Sequence, residues 1–276
     1  MITNMALSKT LKRMVEGSHS DPLGLDERLQ EFFEHDGGFT FSKSTRKLSR
    51  RLMGKDVRLR DPEIFHASSA ADCKRKQLLA IFNPDYERRD PLAAIQRMGD
   101  GKWGHLKWQL IFHEMGLLRR SEFQVKYEPW NAGGAPDGVL ILPWLSDDTE
   151  FLLEVKTVSD YRFGNILRTG KPERGHVFQT HTYIQALDLS NIIYFYENKN
   201  TNDWKYIWQE RDYAIIKRLR KRYKILNRAK DSGELLKPEC TFRINDEMYR
   251  FCHLKKLCIN LLKEDGTWPN YNPRNQ

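Results

Sequence analysis

The sequence predicts a mixed α/β core with helical flanks. Three observations predict it. Apolar residues recur at helical spacing up to about residue 118, and from Phe123 onward they alternate. The run Phe151-Leu152-Leu153 with Val155 is almost continuously apolar, as strands are. A helical stretch over 176–188 then separates that run from a second strand-like segment, NIIYFYEN.

Along the chain, residues 1–60 read as a helical N-terminal extension of short helices. Leu7, Leu11 and Met14 mark the first, and Leu25, Leu29, Phe32 and Phe33 the second. Gly37-Gly38 separates these from a third, strongly basic stretch between Lys43 and Lys55. The extension shows no chemistry of its own; a cap on the core and a nucleic-acid arm are both open. A helix with a Ser cap is predicted over 68–82. Residues 93–118 read as one or two helices interrupted by Gly99, Gly101 and Gly104. Three strands follow, around Phe123–Tyr127, Val139–Ile141 and Phe151–Val155. Gly133-Gly134 is read as the turn between the first two, and Ser146-Asp147-Asp148 as the turn between the second and third. After the helix at 176–188 come NIIYFYEN and KYIWQER. A basic amphipathic helix over 212–231 sets Ile215, Ile216, Leu219, Tyr223 and Leu226 against Lys217, Arg218, Lys221, Arg222, Lys224 and Arg228. Residues 61–260 thus form the main domain and 261–276 a tail.

Composition narrows the function. The chain has 276 residues, enough for one large domain or two small ones, and 39% are apolar, too many for a long disordered chain. No apolar run reaches the ~18 residues of a membrane span, and the N-terminus lacks the apolar core of a secretory signal. A reducing cytoplasm is therefore expected. The net charge of +9 favours a polyanionic partner, though only weakly.

Four cysteines, Cys73, Cys240, Cys252 and Cys258, match the number of thiolates that a structural zinc or a cubane iron–sulfur cluster takes. Their spacing is not that of a zinc ribbon. Four unrelated buried thiols are the other reading.

The chemistry concentrates in GGAPDGVLILPWLSDDTEFLLEVKTV. Asp137 opens one strand, and Glu154 and Lys156 lie two apart near the end of the next. Period two puts both on one face. If the two strands pair, Asp137 lies beside Glu154, and two carboxylates there make an oxygen site for a hard divalent cation. Such a cation polarises a phosphodiester and activates water; an adjacent ammonium steadies charge on the phosphate. A surface Glu–Lys pair is the plain alternative for a bare ExK.

Pro136-Asp137 followed by Glu154-Val155-Lys156 resembles the PD-(D/E)xK nuclease superfamily. Gly101-x-x-x-His105 ahead of the strands, Gln179-x-x-x-Tyr183 behind them, and one early plus three late cysteines are similar to its RecB-like branch with an iron–sulfur cluster. That branch includes CRISPR-associated RecB-like exonucleases and phage relatives, and the resemblance spans about residues 64–260. It implies a restriction-endonuclease-like core. It implies Mg²⁺ or Mn²⁺ held by His105, Asp137, Glu154 and the Val155 carbonyl, with Asp137, Glu154 and Lys156 catalytic. It also implies that Gln179 and Tyr183 meet the substrate, and that Cys73, Cys240, Cys252 and Cys258 hold a [4Fe–4S] cluster, zinc being the alternative. Relatives usually show Cys-x2-Cys at the first late gap. Here that gap is eleven residues, so the loop must bulge for Cys240 to reach the cluster, and His253 is the substitute ligand. The implied activity is a metal-dependent deoxyribonuclease, a single-strand exonuclease in phage or bacterial recombination, repair or replication. The implied partner is DNA, single-stranded or with a free end. A structure-specific endonuclease and an inactive DNA-binding adaptor are the rivals. The helix at 212–231 and the Lys43–Lys55 stretch are candidate phosphate contacts, and Trp103, Trp108, Tyr161 and Phe163 candidate stacking platforms.

Overall fold

Residues 146–158, apolar and buried from Phe151 to Val155 except for the buried charge of Glu154, are the axis of the fold. The computed structural model describes residues 21–36, 41–53, 61–86, 92–121 and 123–266. Among them, a five-stranded sheet runs in the order β2 (Leu118–Ser121), β5 (Gly138–Leu142), β6 (Ser146–Val158), β7 (Asn191–Asn198), β8 (Trp204–Glu210). β5 pairs antiparallel with β2 and β6, β6 parallel with β7, and β7 antiparallel with β8. A small second sheet has the order β1 (Phe65–His66), β4 (Ala132–Gly134), β3 (Val125–Tyr127).

Strand parity decides which side chains meet which helices. Phe151, Leu153 and Val155 join Trp108, Ile111 and Phe112 of helix α4 (Leu92–Glu114) in one buried core. Leu152, Tyr194 and Tyr196 face the other way, onto Phe163 and Ile166 of α5 (Asp160–Thr169) and Tyr183 and Ile184 of α6 (Arg174–Leu187). Each such side chain contributes roughly 1.5–3 kcal/mol when fully buried. Helix α7 (Tyr213–Ser232) lays Ile216, Leu219, Tyr223 and Leu226 on Phe65, Trp130 and Leu78, the last from α3 (Lys74–Phe82).

Helix α1 (Leu25–Asp36) buries Leu25 and Leu29 in the core that holds Trp108 and Phe195. Asp21 caps it, accepting from the amides of Leu25, Asp26 and Glu27, and also accepts from the Tyr206 hydroxyl on β8 at 2.6 Å. Helix α2 (Lys43–Met53) sets Leu48 and Leu52 on Leu110. The expected helix around Leu7–Met14 lies outside the described residues. Near the other end, a single turn α8 (Glu247–Arg250) and helix α9 (Lys255–Glu264) follow, with Cys258 in α9.

Several local expectations are corrected. One helix of 23 residues, Leu92–Glu114, covers most of 93–118; Gly99, Gly101 and Gly104 do not interrupt it, and Leu118 starts β2. Gly104 is instead where helix and sheet touch: a Cβ there would lie 2.2 Å from Thr157 Cγ2. Gly133-Gly134 is strand β4, and the turn before it is the 3₁₀ segment Glu128–Trp130, closed by Asn131 at φ +47°. Ser146-Asp147-Asp148 opens β6, where exposed polar residues suit a strand end; the turn is Pro143–Leu145. Phe123 lies in no strand, and β2 shows no apolar alternation because it is a charged edge, with Arg120 on Glu150 at 3.0 Å. The early-cysteine helix starts after Cys73, not at Ser68, since Cys73 is extended and Ala67–Ser69 is a separate 3₁₀ turn. Helix α5 carried too short an apolar period, Phe163 and Ile166, to be read.

Candidate active site

The register of β5 on β6 pairs Gly138 with Leu153, so the next position places Asp137 opposite Glu154. Glu154 and Lys156 share the face turned toward α6, with Lys156 Nζ 2.5 Å from Glu154 Oε1. Glu154 is 1% exposed, and neither of its oxygens has a hydrogen-bond donor in line. Asp137 is held from two sides. His105 Nδ1 of α4 lies 2.8 Å from its Oδ1, and the Val155 amide donates to its Oδ2 at 2.8 Å. Thus the Val155 amide is the group of that residue seen on the acid pair.

Helix α6 closes the site. Gln179 and Tyr183, one turn apart, both reach it: Gln179 Oε1 accepts from Lys156 Nζ at 3.4 Å, and the Tyr183 hydroxyl donates to the Ala135 carbonyl at 3.3 Å. Gly134 makes this approach possible. Its φ of +150° suits no L side chain, and a Cβ would lie 2.9 Å from the Tyr183 hydroxyl. His105, Asp137, Glu154, Lys156, Gln179 and Tyr183 all line one cavity of about 300 Å³.

Burial and charge act against each other here. Burial pushes the Glu154 carboxyl up, the Asp137 charge pushes further, and Lys156 only partly opposes them, leaving it at about 7. Burial would also raise Asp137, but His105 and Lys156 outweigh it and hold its carboxyl below the usual range. For His105 and Lys156, burial works to lower the pKa, and the facing carboxylates prevail and raise it. Lys156 therefore keeps its proton.

Sequence reasoning missed three contributors. Gln109, four residues after His105 and so on the same helix face, donates from Nε2 to the Asp137 carbonyl at 2.7 Å. That spacing was the available signal. Glu197 of β7, 3% exposed, accepts from Trp108 Nε1 at 2.6 Å and pairs with Lys107, fixing α4 on the sheet just beyond His105. His176 of α6 sits 2.9 Å from the Tyr196 hydroxyl; burial, then the charges of Lys156 and Arg162, push it down to about 2. The stacking candidates divide: Trp108 and Phe163 are core, whereas Trp103 and Tyr161 are exposed. Arg222 leaves the basic face, because its guanidinium holds the Asp72 carbonyl and lies 3.7 Å from Glu239.

All four cysteines line a single small pocket between α3 and the C-terminal turns, together with Leu79, Phe242 and Tyr249. Cys240 is among them, whereas His253 lines a different pocket, with His66 and Ile81. Burial raises the thiol pKa of Cys240, Cys252 and Cys258.

No family model and no curated protein matches the chain. Exonucleases are among the solved structures it is similar to. The LHK-Exo complex with dAMP is 16% identical at a TM-score of 0.48, covering 62% of this chain and 89% of that one. An alkaline exonuclease from Laribacter hongkongensis is 16% identical at 0.47 over the same shares. A phage-related exonuclease from Haemophilus somnus 129PT is 14% identical at 0.39, covering 70% and 87%. At these scores the likenesses stand beside the site without bearing on it.

Among the described residues no three His, Cys, Asp or Glu side chains form a finished metal group. The two carboxylates face their own cations instead, His105 on Asp137 and Lys156 on Glu154. The donor set nevertheless fits a hard divalent ion. It offers two converging carboxylates and an imidazole, and the only donor near the buried Glu154 carboxylate is the Lys156 ammonium, on Oε1. No helix among the described residues is long and apolar enough to cross a membrane.

Proposed function

We propose that the chain is a metal-dependent deoxyribonuclease that hydrolyses phosphodiester bonds from single-stranded DNA ends. The observation that carries the reading is the register-fixed meeting of Asp137 and Glu154, with Lys156 on the same face and His105 on Asp137. His105, Asp137, Glu154 and the Val155 carbonyl would hold Mg²⁺ or Mn²⁺. When bound, such an ion polarises the phosphodiester and makes water a nucleophile at neutral pH. Lys156 keeps its proton, so it acts as a fixed cation for the charge that builds on the phosphate, not as a base. Gln179 aims that ammonium, and Gln109 and the Val155 amide hold Asp137 in place. The preference for single-strand ends rests on the resemblance of the motifs in order.

The test is digestion of end-labelled linear and circular single-stranded DNA with Mn²⁺ and with EDTA. Linear DNA should be degraded and circles spared, and Asp137→Ala and Glu154→Ala should each abolish cleavage. Cleavage that survives in both variants overturns the site. Cut circles favour the endonuclease, and no cleavage by the wild type favours the adaptor.

The four cysteines are proposed to hold a [4Fe–4S] cluster that ties the C-terminal turns to α3, with zinc as the alternative. Their convergence on one pocket supports this reading. Brown protein containing iron and acid-labile sulfide is expected; colourless protein with one zinc would replace the cluster.

A further inference from the structure

Helix α7 presents a second feature that the catalytic cavity does not use. At 100° per residue, Lys217, Arg220, Lys221, Lys224 and Arg228 fall within about 100° of arc, opposite the apolar stripe of Ile216, Leu219, Tyr223 and Leu226. All five are exposed, and among the described residues none has an ion pair or hydrogen bond. Arg220, Lys224 and Arg228 line one wall of a groove of about 970 Å³ whose other wall is the segment Tyr127–Asn131. The groove's two acids do not cancel this wall: Glu128 is paired with Lys126 at 3.1 Å, leaving Asp231 alone. Strand β4 links the groove to the catalytic cavity, since Asn131 lines one while Gly133, Gly134 and Asp137 line the other. Six residues of chain span at most about 22 Å.

We infer that this groove is a sequence-independent site for a nucleic-acid backbone, which grips the substrate strand a few phosphates from the scissile bond. The inference rests on the reading of DNA as substrate and adds the path the strand takes. A stripe of unpaired cations facing a wall that carries the half-buried aromatic Tyr127 suits phosphates, with bases beside them, spaced along a single strand.

The full-length chain is titrated with a fluorescent 20-nucleotide single strand in EDTA, so that binding is read without cleavage, at several salt concentrations. Neutralising three phosphate contacts removes about 0.7 × 3, or ~2, from the slope of log K against log salt. The triple variant Arg220→Gln/Lys224→Gln/Arg228→Gln should therefore bind about 100-fold more weakly at 0.1 M salt. A control losing the same charge from other exposed lysines, Lys237→Gln/Lys256→Gln/Lys263→Gln, should keep the wild-type slope. An unchanged slope in the groove variant, or an equal loss in the control, overturns the inference. So does a wild type that binds poly-aspartate and not DNA. The nuclease reading fails separately: the wild type would bind with a groove-dependent slope yet cut nothing when Mn²⁺ is added.

Discussion

Gly104 is the contact through which the helix bearing His105 is seated on β6, the strand that carries Glu154 and Lys156, and its replacement by Ala tests that seating. An added Cβ would meet Thr157 Cγ2 at 2.2 Å, well inside any tolerated approach, and Thr157 Cβ at 3.6 Å, an ordinary one. Thr157 is β-branched and cannot swing its methyl aside cheaply. Overpacking of this kind costs roughly 1–3 kcal/mol, while Gly to Ala inside a helix returns about 1 kcal/mol. Gly104→Ala should thus destabilise by about 0–2 kcal/mol in urea unfolding. It should lower cleavage more than stability suggests, because His105 is the next residue and must hold Asp137 at 2.8 Å. Thr157→Ser deletes only the offending methyl. In that background Gly104→Ala meets no clash, so it should stabilise by about 1 kcal/mol and cleavage should recover. The coupling between the two sites should be about 1–3 kcal/mol. Additive effects, with no recovery by Thr157→Ser, would refute the close helix–strand contact and with it the account of how His105 is placed.

Asp26 is pushed up from 3.8 to about 6 by burial and then by the Asp21 charge, with Lys205 opposing. A raised carboxyl binds its proton more tightly when folded, so wild-type stability should fall as pH rises from about 4 through 6. Asp26→Asn should remove that fall, gaining about 1–2 kcal/mol at pH 8 after solvent screening and nothing at pH 4, read from melting at both values. With Glu154 at about 7 and His105 raised, Mn²⁺ must displace protons, so its affinity should drop at least about tenfold from pH 8 to pH 6, the Glu154 share alone. Calorimetry in buffers of different ionisation enthalpy would detect that release, and pH-independent binding would contradict it. Glu154→Met alone should destabilise by about 3–5 kcal/mol by leaving Lys156 without the carboxylate it pairs with, whereas Glu154→Met/Lys156→Met should be neutral or up to about 4 kcal/mol more stable while losing all cleavage. A double variant as unstable as the single would mean that the pair is kept for folding.

The parts of the site readable in the sequence are those fixed by local periods. Period two puts Glu154 and Lys156 on one face, and a spacing of four puts Gln179 and Tyr183 on one helix side; both are properties of the backbone that need no tertiary knowledge. Gln109 obeys the same spacing relative to His105 but carries no charge, and so drew no notice. Glycines misled the reading because their local and tertiary uses look alike. Gly104 and Gly134 resemble a helix break and a turn, yet each is small because another side chain, Thr157 or Tyr183, passes close by. Strand β2 was hidden for the opposite reason: an edge needs charge to stay unpaired, so LRRS has no apolar alternation to find.

These observations bear on why the charged pair exists at all. Register on β6 is set by Phe151, Leu153 and Val155 on the α4 face, and a slip by one residue would turn them out and bring Glu154 and Lys156 into that core. The apolar face alone therefore fixes where the acids fall, and their own side of the strand is free of that duty. Leu152 and Tyr194 show that the α6 face could have been apolar throughout. A buried carboxylate whose hydrogen bonds are mostly unmade costs stability wherever it stands. Here one is retained beside a second acid, at the one point of the sheet where a histidine from α4 and a glutamine from α6 also arrive. Folding has no need of that meeting; the proposed phosphodiester hydrolysis does.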